Sequence, residues 1–167
     1  VSSEDDILKC VKDVSDAFGR IDILVNNAAI SDNKNMFDIT TAEWNKVLAI
    51  TLTAPFLLTK YVAKTMIANG NGGRIVNVSS TSGYYGRDRA TAYTAAKGGV
   101  VNLTKSQAIQ LAPHKIRVNA VVPNKIGSPV GKDEFDPTRP VLNLVGRPGV
   151  PDDLANAVLF LVSEESS

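Results

Sequence analysis

The spacing of apolar residues along the chain predicts helices that alternate with three short strands. Apolar side chains recur at helical spacing over 5–18, and Gly19 ends that pattern. Short runs of apolar, largely β-branched residues at 21–25, 74–79 and 116–122 predict buried strands. The same periodicity predicts three further helices, over 42–68, 91–111 and 151–162.

The second predicted helix carries signals at its start and in its interior. Thr41 is a candidate N-cap residue, with Glu43 close behind it in the first turn. Pro55 lacks a backbone donor and its ring crowds the preceding turn. We therefore expect a kink near Thr51.

Long helices between apolar strands predict an α/β fold with a doubly wound parallel sheet. Parallel strands need crossover connections, and near-continuous apolar strands need cover on both faces. Ligands of such sheets bind beyond the carboxyl ends of the strands. Here those ends carry residues 26–29, Ser80 and residues 123–128, the last of which open a long polar loop. We expect the three segments to converge at one edge.

Composition narrows the class of protein. The chain has 167 residues, of which 44% are hydrophobic and 21% are charged, and a formal net charge of +1. These values suit one globular domain, without a nucleic-acid-binding or membrane-binding surface. The most apolar stretch, 154–162, is too short to cross a bilayer, and no signal peptide is found. A single cysteine and a single histidine predict a reducing, cytoplasmic location and no metal site.

Tyr93 and Lys97 lie four residues apart in a predicted helix, with Ser80 in the preceding loop. At this spacing both side chains leave one face of the helix. A nearby ammonium favours the phenolate, so we expect Lys97 to lower the pKa of Tyr93. With the Ser80 hydroxyl, these groups can polarise a carbonyl and exchange a proton with it. The spacing is also that of an ordinary pair on a helix surface, so the surrounding motifs must decide.

Several motifs in a fixed order give the sequence a resemblance to the short-chain dehydrogenase/reductase family over essentially its whole length. They are GRIDILVNNAA at 19–29, GRIVNVSS at 73–80, Tyr93 with Lys97, IRVNAVVP at 116–123 and GRPG at 146–149. The resemblance implies a Rossmann-like fold. Residues 1–167 would then be the catalytic portion of a single dinucleotide-binding oxidoreductase domain.

The resemblance also implies roles for individual residues. Tyr93 would be the acid/base of a hydride transfer between NAD(P) and a carbonyl or secondary alcohol. Lys97 would bind the nicotinamide ribose, and Ser80 would hold the substrate oxygen. The cofactor-binding residues would be Asn27, Ala28, Ala29, Tyr93, Lys97, Pro123, Ile126 and Ser128. The aromatic pair Tyr84 and Tyr85 would either line the substrate cleft or form an exposed loop.

The chain departs from the family pattern at several positions. Thr51 stands where the family has an asparagine, Asn124 stands where it has a glycine, and Ala29 stands where glycine is commoner. We expect Thr51 to weaken or reroute proton delivery. No glycine-rich strand–turn–helix motif occurs, so the pyrophosphate site and the residue that selects NAD or NADP are expected upstream. The first predicted strand should then present an unprotected apolar edge.

Two functions are consistent with the sequence. The first is an oxidoreductase that uses NAD or NADP on a small carbonyl or alcohol, closest in pattern to the 3-oxoacyl-carrier-protein reductase and glucose dehydrogenase branches. The second is a truncated, non-catalytic relative that acts as an interaction or structural module. The intact Ser80, Tyr93 and Lys97 favour the first, whereas Thr51 and the missing glycine-rich turn favour the second. The resemblance also implies a homo-oligomer, either a tetramer or a dimer.

Overall fold

A computed structural model describes residues 1–126 and 144–167. In these ranges the strands form a parallel sheet in the order β1-β2-β3. The strands are β1 (Ile23–Asn26), β2 (Gly73–Val78) and β3 (Ile116–Val121). The helices are α1 (Glu4–Phe18), α2 (Thr41–Leu48), α3 (Ala54–Asn69), α4 (Thr91–Leu111) and α5 (Pro151–Val162). A π-helical turn (Ala49–Thr53) joins α2 to α3, and 3₁₀ turns lie at Thr81–Gly83, Ala112–His114 and Glu164–Ser166.

Different helices cover the two faces of the sheet, because successive residues of a strand point to opposite sides. On one face, Ile75 of β2 packs in a cluster with Met66 of α3 and Val118 of β3. On the other face, the next residue, Val76, packs in a cluster with Leu154 of α5. Both β2 residues are 0% exposed. The sheet is therefore doubly wound, and the predicted α/β fold class is confirmed.

The start of α2 differs from the prediction by one residue. The N-cap is Thr40 and not Thr41: the Thr40 hydroxyl accepts a hydrogen bond from the Glu43 N–H (3.2 Å). In return, the Glu43 carboxylate accepts one from the Thr40 N–H (3.0 Å). This reciprocal pair requires a three-residue separation, which Thr40 has and Thr41 lacks. The first strand is also displaced, since it runs from Ile23 to Asn26 and not over 21–25.

The expected kink near Thr51 takes the form of the π-helical turn. At its end the Ala54 N–H bonds to the Ala49 carbonyl, five residues earlier. Pro55 follows immediately and has no N–H, so the regular ladder is interrupted at this point of the helix. The widened turn is therefore how the helix accommodates Pro55.

The continuous helical run Thr41–Asn69 is long and apolar enough to cross a membrane by length and composition alone. The expectation from the sequence concerned uninterrupted apolar stretches, and charged residues such as Lys46 and Lys60 interrupt this run. Within the run, Val62, Ala63 and Met66 are buried in the core cluster that covers the sheet. Such packing is that of a core helix in a globular protein.

The first strand has the exposed apolar edge that the sequence predicted. Ile23 and Val25 of β1 are 46% and 41% exposed. Among the residues described, β1 pairs with β2 on one side only. An apolar strand edge of this kind is normally covered by a further element.

Candidate active site

The carboxyl ends of the three strands meet around a cavity of about 450 Å³. Among the predicted site residues, its wall contains Asn27, Ala29, Ser80, Tyr93, Lys97, Pro123 and Ile126. Ala28 is exposed and is not part of this wall, and its contact with the cofactor stays a prediction. Neighbouring residues of an extended segment point to opposite sides, so Ala28 faces away where Asn27 and Ala29 face the cavity. Ser128 lies outside the described residues.

Helix α4 presents Tyr93 and Lys97 to the cavity one turn apart. The Lys97 Nζ lies 5.7 Å from the centroid of the Tyr93 ring. Tyr93 is 8% exposed and Lys97 is 3% exposed. The Lys97 Nζ donates a hydrogen bond to the Val78 carbonyl at the end of β2 (2.5 Å). The ammonium is therefore fixed to the strand end beside the phenol.

Burial changes the pKa of both groups. It lowers the pKa of Lys97 to about 8, because removal from water disfavours the ammonium. It raises the pKa of Tyr93, and the Ser80 side chain and the Arg87 charge offset only part of this rise. The net shift of the Tyr93 pKa is therefore upward, and the expectation that Lys97 lowers it stays a prediction. The ammonium is directed at the Val78 carbonyl, and the burial of the phenol has the larger effect.

Ser80 is held in place by the 3₁₀ turn that follows β2. Its Oγ accepts a hydrogen bond from the Ser82 N–H (3.1 Å), and its side chain also makes the contact with Tyr93 that lowers the pKa of the phenol. Gly83 of the same turn lies so close to α4 that an added Cβ would be 2.7 Å from the Lys97 carbonyl oxygen. The Ser79 hydroxyl donates to that same oxygen (3.0 Å). The turn and the helix therefore form one unit.

Thr51 occupies the position at which the chain departs from the family pattern. It is 0% exposed and lies in the π-helical turn. Its hydroxyl donates to the Ile30 carbonyl (3.0 Å) and accepts from the Ile30 N–H (3.1 Å). The side chain thus fixes the segment that follows Ala29 in the cavity wall. Its effect on proton delivery stays a prediction.

Sequence reasoning missed Arg87, which lies in the loop before α4. The residue lines the cavity, and its charge acts on Tyr93. No periodicity or motif marks it, because its proximity to Tyr93 depends on the path of the loop. Both residues of the aromatic pair are exposed, and Tyr85 also borders the cavity, whereas Tyr84 does not.

The described residues fit the nicotinamide end of a dinucleotide. Lys97 holds a buried ammonium at the cavity, and the small Ala29 side chain lets a ligand approach the backbone. The charged side chains in the described part of the wall are all cationic, namely Arg87, Lys97 and Lys125. Such a wall suits a ligand that carries phosphate groups. In the same ranges, no group of three His, Cys, Asp or Glu side chains is placed to hold a metal.

Comparison with known proteins identifies the family. Residues 1–167 match the family described as Enoyl-(Acyl carrier protein) reductase. The 3-oxoacyl-[acyl-carrier-protein] reductase FabG of Thermotoga maritima is 40% identical over 170 residues, which cover 100% of this chain and 69% of that protein. The chain belongs to the short-chain dehydrogenase/reductase family. It is therefore classed with the NAD(P)-dependent oxidoreductases, as the sequence predicted.

Solved structures of similar proteins share the fold. Acetoin dehydrogenase YohF from Salmonella typhimurium superposes with a TM-score of 0.85 at 32% identity, over 95% of this chain and 64% of that one. A short-chain type dehydrogenase/reductase from Mycobacterium marinum gives a TM-score of 0.87 at 31% identity, over 99% of this chain and 66% of that one. The chain thus spans about two thirds of the length of these relatives.

Proposed function

We propose that the intact protein transfers a hydride between a nicotinamide cofactor and a small ketone or secondary alcohol, with Tyr93 as the acid/base. The observation that supports this most is the burial of Tyr93 and Lys97 side by side on α4, in one cavity with Ser80. A buried cation without a carboxylate partner is unfavourable for folding, and such groups occur at functional sites.

Bound NAD(P) supplies the hydride for reduction and accepts it in oxidation. In reduction, Tyr93 donates its phenolic proton to the substrate oxygen while the carbonyl carbon is reduced. Its raised pKa keeps the phenol protonated near neutral pH, which suits this direction. The Ser80 hydroxyl donates a hydrogen bond to the same oxygen and stabilises its developing negative charge. Lys97, which lies beside the phenol, would hold the ribose hydroxyls of the bound cofactor.

The names of the relatives guide the choice of substrates. They include a 3-oxoacyl-[acyl-carrier-protein] reductase and an acetoin dehydrogenase. We therefore propose a 3-oxoacyl thioester and acetoin as the first substrates to test, each with NAD(H) and NADP(H). A cytoplasmic homo-oligomer, dimer or tetramer, is part of the same proposal. Phe56 on α3 and Ile109 on α4 are exposed apolar side chains on the two helices expected to form such contacts.

Replacing Tyr93 by Phe in the intact protein tests the proposal. We expect turnover to fall by about 10³-fold, because the substitution removes the transferable proton and little else. Tyr84→Phe is the matched control, since Tyr84 is exposed and outside the cavity wall. Cofactor oxidation and melting temperature are measured for both variants. Unchanged turnover in Tyr93→Phe would contradict the proposed acid/base, and a wild-type protein without turnover would favour the non-catalytic alternative.

A further inference from the structure

The N-terminal turn of α4 has no cap of its own. The helix begins at Thr91 after Ala90, whose backbone is left-handed (φ 72°) and whose methyl group accepts no hydrogen bond. The first backbone N–H groups of any helix have no partner inside the helix. In α4 this turn also carries Tyr93, so the group that binds these N–H groups sets where the phenol lies.

Asp32 supplies the missing acceptors from a distant part of the chain. One carboxylate oxygen accepts a hydrogen bond from the Tyr93 N–H (3.1 Å), and the other accepts from the Ala92 N–H (3.4 Å). A carboxylate is favoured at this end of a helix because the helix dipole places partial positive charge there. Asp32 and Tyr93 are separated by 61 positions along the chain, so this is a tertiary cap.

The segment that carries Asp32 is itself held on both sides. On one side, the Thr51 hydroxyl makes two hydrogen bonds to the Ile30 backbone. On the other side, the Lys34 carbonyl accepts a hydrogen bond from the Ala90 N–H (2.9 Å). The segment also begins directly after Asn27 and Ala29, which follow β1 and line the cavity. The segment is therefore held in place both at Ile30, next to the cavity wall, and at Lys34, next to the start of α4.

We propose that Asp32 is a positioning residue: its carboxylate anchors the first turn of α4 and thereby fixes the Tyr93 phenol relative to the bound substrate. This inference rests on the proposed function. Asp32 is not part of the cavity wall, so its loss should leave cofactor and substrate contacts in place. Proton transfer depends steeply on geometry, so the effect should fall on kcat more than on KM.

The test compares Asp32→Ala and Asp32→Asn with Asp38→Asn in the intact protein. Asp38 is a matched control, because its exposed carboxylate in the same connecting segment bonds only locally, to the Asn35 side chain (3.3 Å). We expect Asp32→Ala to lower kcat by about tenfold or more, with KM changed less than about twofold. Asp32→Asn retains one acceptor oxygen and should lower kcat less. Hydrogen–deuterium exchange in the first turn of α4 should increase in the same order, with exchange in β2 unchanged.

Three results would overturn the inference. They are wild-type kcat and exchange in both Asp32 variants, an equal loss in Asp38→Asn, or faster exchange across β2 as well as α4, which would indicate general unfolding. Absence of turnover in the wild-type protein contradicts the proposed function instead. In that event the exchange measurement still decides whether Asp32 anchors α4.

Discussion

Two groups of buried or half-buried polar side chains lie in the same core, and they differ in charge. The first, here called the amide cluster, comprises Asn26, Thr59, Asn77, Thr104 and Gln107. The second is the candidate catalytic group of Ser80, Tyr93 and Lys97. The first consists of neutral groups bonded to one another, whereas the second contains a cation and a phenol whose pKa values burial has shifted.

The amide cluster connects two strands and two helices. Asn26 and Asn77 are register partners in β1 and β2, and the Asn26 Nδ2 donates to the Asn77 Oδ1 (2.8 Å). The Asn77 Nδ2 in turn donates to the Thr104 Oγ1 (2.9 Å) and the Gln107 Oε1 (3.0 Å) on α4. The Asn26 Nδ2 also donates to Thr59 on α3 (3.2 Å). Paired in this way, neutral buried groups fix the register of the strands and the position of the catalytic helix.

The catalytic group differs from the amide cluster in charge, since the buried atom without a partner in the amide cluster, the Asn26 Oδ1, is neutral. The Lys97 ammonium donates a hydrogen bond to one neutral carbonyl, and no carboxylate compensates its charge among the described residues of the wall. Burial of such a charge is unfavourable for folding. The two clusters therefore have opposite effects on the stability of the fold. The amide cluster stabilises the core, whereas the catalytic group destabilises it, as groups that react with a substrate often do. Substitutions in each cluster should therefore change stability in opposite directions.

The largest expected effect is the loss of folding stability when the amide cluster is disrupted. Asn77→Ala removes the partner of Asn26, Thr104 and Gln107 and leaves a small cavity. We expect the free energy of unfolding to fall by about 3 kcal/mol. Asn102→Ala, at an exposed position of α4, should not destabilise the protein. Urea unfolding of the intact protein measures both, and equal values for the two variants would contradict a structural role for the cluster.

The next largest effect is a gain in folding stability, which we expect when Lys97 is replaced. Because burial lowers the pKa of Lys97 from 10.5 to about 8, the unfolded chain binds more protons than the folded one between these values. Wild-type stability should therefore rise with pH across that window. We expect Lys97→Met to abolish turnover yet stabilise the fold by about 2 kcal/mol near pH 7, after allowance for the lost bond to Val78.

The pH dependence distinguishes this effect from a general gain in apolar packing. The stabilisation by Lys97→Met should shrink as the pH rises above about 8, where the wild-type lysine sheds its proton in the folded state. Lys105→Met provides the control, since Lys105 lies exposed on the same helix. A gain that is constant with pH, or equal in both variants, would contradict the argument that an unpaired charge is buried at Lys97.

Much of this framework is predictable from local sequence. The helices Thr91–Leu111 and Pro151–Val162 have the predicted bounds, because their apolar spacing and the proline at the start of α5 are local signals. The convergence of the strand ends follows from the parallel topology alone. The N-cap at Thr40 was also predictable from the sequence, since its three-residue spacing to Glu43 is that of a capping box.

What sequence reasoning missed depends on contacts between distant residues. The bonds from Asp32 to the start of α4 and from Asn26 to Asn77 join positions that only the folded chain brings together. The upward effect of burial on the pKa of Tyr93 was missed for the same reason. The spacing to Lys97 indicated a neighbouring charge, but desolvation depends on all that packs around the phenol, which spacing does not report.

The smallest expected effect concerns the same phenol. The Arg87 charge lowers the pKa of Tyr93 against the larger upward effect of burial. Arg87→Ala should therefore raise that pKa further, by less than about one pH unit because the arginine is exposed and screened by solvent. Reduction needs the phenol and oxidation needs the phenolate. The pH limb that reports Tyr93 should consequently move to higher pH in both directions of the reaction.

Arg89→Ala is the matched control, because Arg89 is exposed in the same loop and is not part of the cavity wall. The pH dependence of kcat is measured for both variants at low and high salt. The shift in Arg87→Ala should diminish at high salt, where the wild-type arginine is itself screened. An equal shift in Arg89→Ala would assign the effect to net charge and not to Arg87. No shift in either would mean that burial and the Ser80 contact set the acidity of Tyr93 without a contribution from Arg87, and that Lys97 is the charge that separates the catalytic group from the neutral amide cluster.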